Sequence, residues 1–193
     1  MFKRFFGQKP EAQFPSMQDP QNAELAVMAA ELLRTPSALM QLTPEEASVV
    51  VRYMMPLEID EGITFIQQGD KENTHFMVLV LDGEVMVESI VVSRTEPITV
   101  NVLGPGHIIG EMGLLDGEPR SASCKAATHL HCAILNREAL AQLLKDDPRT
   151  AAKLMLAVSL RIADRLRESA HKLQMYAQLT LAMQQELDRL MPT

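Results

Sequence analysis

Between Leu57 and Leu135 the chain breaks into short segments with alternating apolar residues, and this constrains the fold more than any other feature. Leu57 and Ile59, Ile63 and Phe65, Phe76, Val78 and Val80, Val85 and Val87, and Ile98, Val100 and Val102 each form such a set. Strand side chains point alternately to opposite faces, so each set presents one apolar face. The breaks at Glu61-Gly62, Gly69-Asp70, Asp82-Gly83 and Gly104-Pro105-Gly106 carry turn residues, and Asp82-Gly83 is the clearest hairpin signal. Many short strands separated in this way predict an all-β barrel or roll. With 193 residues, 47% of them hydrophobic, the chain can bury one substantial core. One compact domain with helical additions is the expectation.

Helical patterns flank the strands. The first 21 residues mix Gly7, Pro10, Pro15 and Pro20 with Gln and charges and show no apolar period, so residues 1–21 are expected to be a flexible tail. Residues 22–56 are expected to hold two helices: Ala23 to Leu33 is rich in helix formers, and Thr43-Pro44-Glu45-Glu46 offers an N-cap followed by proline at the first helical position. Residues 57–136 are assigned to the β region and 137–193 to a short amphipathic helix followed by a long one, with Asp146-Asp147-Pro148 as stop and restart. On the last helix Met155, Ser159, Ile162, Leu166, Ser169, Leu173, Tyr176, Thr180, Met183, Leu187 and Leu190 follow one another in steps of four and three. That is the spacing of a coiled-coil seam and predicts a parallel homodimer, with the first two turns packing on the chain's own roll.

A net charge of −7 would repel a polyanion, so generic nucleic-acid binding is not expected. No apolar run is long enough to span a bilayer, and the start MFKRFFGQKP has no hydrophobic region behind its charge, so the protein is expected in the cytoplasm. Cys124 and Cys132 have neither a metal-ligand spacing nor a disulfide framework; they are expected to be core thiols in a reducing compartment.

The segment Ile109-Gly110-Glu111-Met112-Gly113-Leu114-Leu115-Asp116-Gly117-Glu118-Pro119-Arg120-Ser121-Ala122 joins two strands by something other than a hairpin. Gly110 lets the backbone approach a ligand closely, and the residues after it can form one helical turn whose free N–H groups face an anion. Arg120, after the fixed φ of Pro119, offers paired charge-assisted hydrogen bonds to phosphate oxygens. Glu111 repels a phosphate unless it has another role, and accepting a ribose hydroxyl is such a role. A phosphodiester and a free 2′-hydroxyl within one short cassette describe a nucleoside 3′,5′-cyclic monophosphate.

These residues resemble the phosphate-binding cassette of the cyclic-nucleotide-binding domain family: Gly-Glu-Leu-(Ala/Gly)-Leu, a spacer ending in proline, then Arg-(Ala/Ser/Thr)-Ala, matched without a gap. The resemblance runs over roughly Ala38 to Ser169 and takes in the turns Gly69-Asp70, Leu81-Asp82-Gly83 and Leu103-Gly104-Pro105-Gly106. It implies a mainly β fold with flanking helices, a double-stranded, jelly-roll-like β-roll with the cassette at 109–122 and a long C-terminal dimerisation helix. Ile109, Gly110, Glu111, Met112, Arg120, Ser121, Ala122 and Ser169 are then the expected ligand-binding residues. Gly110 and Glu111 would meet the ribose, and Arg120, Ser121 and Ala122 the cyclic phosphate.

Gly113 and Ser121 are most similar to the sensor of bacterial catabolite-activator-type proteins, which implies cAMP. The same likeness brings Ser169 to the adenine across a dimer, whereas a Ser121 hydroxyl that reaches a guanine amino group would favour cGMP. The chain ends in its long helix where such activators continue into a DNA-reading helix-turn-helix, so a sensor without a reader, signalling to a separate protein effector, is expected. The alternatives are a ligand-independent dimeric scaffold, a regulatory subunit of a catalytic partner, and a cyclic-di-GMP or haem sensor.

Three further features have simpler readings. His129 and His131 share one strand face while Cys132 takes the other, so the trio does not converge on a metal and a structural role is expected. Phe2, Lys3, Arg4, Phe5 and Phe6 form at most a weak membrane or partner hook. The thirteen Met residues suit pliable core or interface, and no catalytic triad or carboxylate pair is indicated by spacing.

Overall fold

A computed structural model describes residues 16–89 and 98–190. Within residues 16–157 eight strands form two antiparallel four-stranded sheets. One sheet has the order β1 (Met55–Ile59), β8 (Leu130–Asn136), β3 (Phe76–Asp82), β6 (Ile108–Ile109). The other has the order β2 (Thr64–Ile66), β7 (Ser123–Ala126), β4 (Val85–Ser89), β5 (Ile98–Leu103). Apart from the consecutive pair β4 and β5, neighbours in each sheet are not consecutive in sequence; β1 pairs with β8 and β2 with β7, as in a β-roll. Ile59, Val78, Val80, Leu130, Cys132 and Ile134 from the first sheet meet Phe65, Ile66, Val85, Cys124 and Ala126 from the second in one buried core. Both cysteines lie in it, as expected.

Alternation holds at Leu57, Glu58 and Ile59 of the edge strand β1 but not on β3, where Phe76 to Leu81 are all buried. Phe76, Val78 and Val80 face the core between the sheets, while helix α1 (Ala23–Leu33) packs on β3 as well. A strand covered on both faces reads as a continuous apolar run rather than an alternating one.

The hairpin expected at Asp82-Gly83 does not form: the turn carries the chain from β3 in the first sheet to β4 in the second, so the strands on either side of it do not pair. The capping signals act as the sequence implies. Helix α2 (Pro44–Val51) begins with a full capping box, Glu46 N–H donating to Thr43 Oγ1 and Thr43 N–H to Glu46 Oε2. Helix α4 (Arg137–Asp146) is capped by Asn136, whose Oδ1 accepts from Ala139 N–H at 2.8 Å. Asp147 accepts from Thr150 N–H and Oγ1–H and so starts helix α5 (Pro148–Leu190) with a single residue between it and α4. Lys153 of α5 pairs with Glu46 of α2.

Order begins before Asn22. Met17 is buried, its N–H donates to Met54 O, and Asn22 Nδ2 ties back to Ser16 O, ahead of a 3₁₀ turn at Pro20–Asn22. Residues 16–21, expected as part of a tail at 1–21, are thus tied to the folded unit, and residues 1–15 lie outside the described residues. The aromatic and basic cluster at Phe2 to Phe6 lies outside the described residues.

Residues 158–190 form a second unit, the remainder of α5. Leu166, Leu173, Tyr176, Met183, Leu187 and Leu190 of the expected seam are each more than half exposed. No helix among the described residues is long and apolar enough to cross a membrane.

Candidate functional site

Strand β6 pairs Ile109 with Val78 of β3 and delivers the chain to Gly110. There the backbone turns left-handed, with φ 78°, and helix α3 (Glu111–Asp116) follows until Gly117 ends it at φ 72°. A Cβ on Gly110 would stand 2.6 Å from Arg120 Nη1 and 3.2 Å from Phe76 O. Glycine is needed here twice over, for the dihedral and for the space.

Arg120 is the centre of the site. It is buried, and its guanidinium spans three main-chain carbonyls: Nε donates to Asn73 O at 3.1 Å, Nη1 to Gly110 O at 2.9 Å and Nη2 to Phe76 O at 3.0 Å. It also lies 4.4 Å over the Phe76 ring. A guanidinium has five N–H donors, so one on each terminal nitrogen remains for a ligand. Burial lowers its pKa, while Cys124, Asp70, Glu111 and Asp116 act in the opposite direction; the group stays cationic.

The Gly69-Asp70 turn supports this arginine. Gly69 N–H donates to Arg120 O and Arg120 N–H to Asp70 O, so the two segments run locally side by side. The Asp70 carboxylate accepts from the N–H groups of Glu72 and Asn73 and from Asn73 Nδ2. Those bonds hold its pKa below the usual carboxylate range, the Asn73 side chain contributing most, and they fix the carbonyl that receives Arg120 Nε.

The expected ligand-binding residues fall into distinct environments. Glu111 is buried in the first turn of α3, close enough for its charge to act on Arg120. Ser121 and Met112 are exposed and Ala122 is half-buried, so the Arg120-Ser121-Ala122 backbone passes from interior to surface. The side chain of Ile109 belongs to the core between the sheets, which leaves its neighbour Gly110 as the accessible part of that step. Ser169 lies in the second unit, exposed, with Oγ–H donating to Arg165 O at 2.8 Å.

Two supports were not visible in the sequence. Arg137 reaches back from the start of α4 to the end of α3, its Nε and Nη2 donating to Leu114 O and Nη2 also approaching Gly113 O and Leu115 O. Thr74, fully buried, donates to Gly117 O at 3.2 Å. Neither has a motif of its own: one is a lone arginine after an Asn cap, the other a threonine before a strand.

This cradle can bind one phosphate through the two remaining Arg120 donors, with a buried carboxylate beside it to accept a hydroxyl. Comparisons with known proteins agree with that chemistry. Residues 56–147 match the family profile "Cyclic nucleotide-binding domain". The chain is similar to the cyclic AMP receptor protein of Thermus thermophilus, 34% identical over 125 residues that cover 64% of this chain and 56% of the receptor. Among solved structures, a cyclic nucleotide-binding domain from Methylobacillus flagellatus is 26% identical with a TM-score of 0.66, covering 81% of this chain and 91% of that one. The Thermus thermophilus catabolite activator protein is 29% identical with a TM-score of 0.62, covering 70% of this chain and 61% of the activator. The chain thus spans little more than half the length of the curated relative it matches. On the cassette geometry and these matches together, residues 56–147 form a cyclic nucleotide-binding domain, with relatives of the catabolite-activator type.

Proposed function

We propose that this chain is a cAMP-binding regulatory protein that signals to a separate effector through its C-terminal helix. The observation that carries the reading is the buried Arg120, held by three carbonyls with two donors left for a phosphate. In the bound state those donors take two oxygens of the cyclic phosphate, the exposed Ser121 and the Ala122 backbone complete the phosphate contacts, and Glu111 beside Gly110 accepts the ribose 2′-hydroxyl. A relative named as a cyclic AMP receptor supports adenine as the base.

Two chains associate through the seam on α5, whose large apolar residues are exposed in the single chain. Ser169 of this helix contributes a hydroxyl to the base. Ligand-dependent movement of the helix requires a higher affinity of cAMP for one helix position than for the other.

The experiment is calorimetric titration of the full chain with cAMP, cGMP and cyclic-di-GMP, alongside sedimentation of the wild type and Leu173→Glu. Micromolar cAMP binding with a dimer that Leu173→Glu dissociates is the expected result. Preference for cGMP would move the base assignment to Ser121, and a dimer that binds none of the three would leave a ligand-independent scaffold.

A further inference from the structure

The outer face of the first sheet carries a cluster that the cassette does not use. Register sets Glu58 of β1 directly opposite His131 of β8, and Asp82 of β3 opposite the same histidine from the other side. A register shift between Val80 and Asp82 turns the aspartate to that face. His129 and Asp60 lie one residue outside the paired ends of β8 and β1, both exposed. Within the cluster, one donor atom from each of Glu58, His129 and His131 lies within 4.8 Å of the others. The two imidazoles meet edge to face with centroids 5.1 Å apart.

We propose that Glu58, His129 and His131 form a divalent transition-metal site that takes zinc. Two imidazoles and one carboxylate are the donor set such an ion prefers, and calcium or magnesium would require more oxygens. His131 is already oriented as a ligand, with Nε2 facing Glu58 Oε1 at 3.7 Å and Nδ1 facing Asp82 Oδ2 at 3.9 Å. A carboxylate behind the second ring nitrogen fixes the tautomer and raises the basicity of a coordinated histidine. Asp60 Oδ1 stands 3.5 Å from His129 Nδ1 and gives the other imidazole the same kind of support. Donors of a tetrahedral zinc sit roughly 3.3 to 3.5 Å apart, so the three groups must close by about an ångström, which exposed side chains on two paired strands can do. Three carboxylates gathered around two imidazoles also make this face electronegative, and a dication compensates for it.

Cys132 is not part of the set. It points into the core, and burial pushes its thiol pKa up to about 12, so no thiolate is offered. The cluster is also separate from the nucleotide cradle. It sits at the Asp82 end of β3 while Arg120 binds the Phe76 end, six residues and about 20 Å away.

The test is a zinc titration of the full chain in competition with a chromophoric chelator, backed by the visible spectrum of the cobalt-substituted protein. His129→Ala, His131→Ala and Asp82→Asn are compared, with circular dichroism confirming that each exposed-face variant is folded. One zinc per chain, a tetrahedral cobalt spectrum, at least a tenfold loss with either histidine substitution and roughly a tenfold loss with Asp82→Asn are expected. No zinc uptake at about 100 μM, or uptake that survives either histidine substitution unchanged, overturns the assignment.

Discussion

Replacing Arg120 tests the cassette's architecture before any ligand is added. In Arg120→Leu the carbonyls of Asn73, Gly110 and Phe76 lose donors that stand 2.9 to 3.1 Å away, in a place from which water is largely excluded. A carbonyl left without its donor in a buried site costs about 1–3 kcal/mol. The three share one side chain and relax together, so the sum falls short of three full penalties, and about 3–5 kcal/mol is the expected loss, comparable to breaking a buried ionic contact. For the unit that ends at Ala157 this lowers the melting midpoint by roughly 10 °C. Arg120→Lys keeps the charge but cannot reach three carbonyls with one ammonium, so it should lie between wild type and Leu. Thermal melts followed by circular dichroism measure all three proteins. A melting midpoint for Arg120→Leu within 2 °C or so of wild type, where the shift above predicts several times that, would refute the idea that this guanidinium ties the cassette to β3.

Three other outcomes follow from the same physics. Arg137→Ala removes the donors at the end of α3, so amide exchange of Leu114 to Gly117 should rise while β1 and β8 are unchanged, at a stability cost of about 1–2 kcal/mol in denaturant melts. Thr43→Ala breaks the capping box of α2 and should cost about 1 kcal/mol; no change would mean that the box is not formed in solution. The Cys132 thiol keeps its proton to about pH 12 in the folded chain, whereas the unfolded chain releases it near its ordinary value of 9.0. Between these values the native state binds the extra proton, so this group's contribution is fully present below pH 9 and falls as pH rises. From pH 8 to 10.5 the wild type should lose about 2 kcal/mol more than Cys132→Ala, and parallel pH curves would contradict it.

What the sequence disclosed, and what it did not, divides by the range of the physics involved. Caps and strand periods are local, so the Thr43 cap and the restart at Pro148 were legible residue by residue, whereas Asp82-Gly83 carries a turn but not the hairpin its residues suggest, because sheet membership is set by distant pairings. The cassette was legible because one continuous segment carries it. Arg120, by contrast, stands out in the sequence only as a phosphate ligand, although it also bridges Asn73, Gly110 and Phe76, since those partners are set by the pairing of segments far apart in the chain. The same limit hid Glu58 from the two histidines. Their strand period excluded Cys132 correctly, but only the β1–β8 register brings the carboxylate across from His131. Order at Met17 has no sequence signal because a single apolar residue has no period to detect.

Whether the cradle around Arg120 receives a cyclic nucleotide's phosphate while Glu111 receives its ribose is decided by a crystal structure of the chain grown with cAMP. The expected result is a phosphate oxygen within hydrogen-bond distance of each terminal nitrogen of Arg120, and the 2′-hydroxyl on the Glu111 carboxylate. A nucleotide bound with its phosphate elsewhere, or crystals with an empty cradle at saturating cAMP, would contradict it.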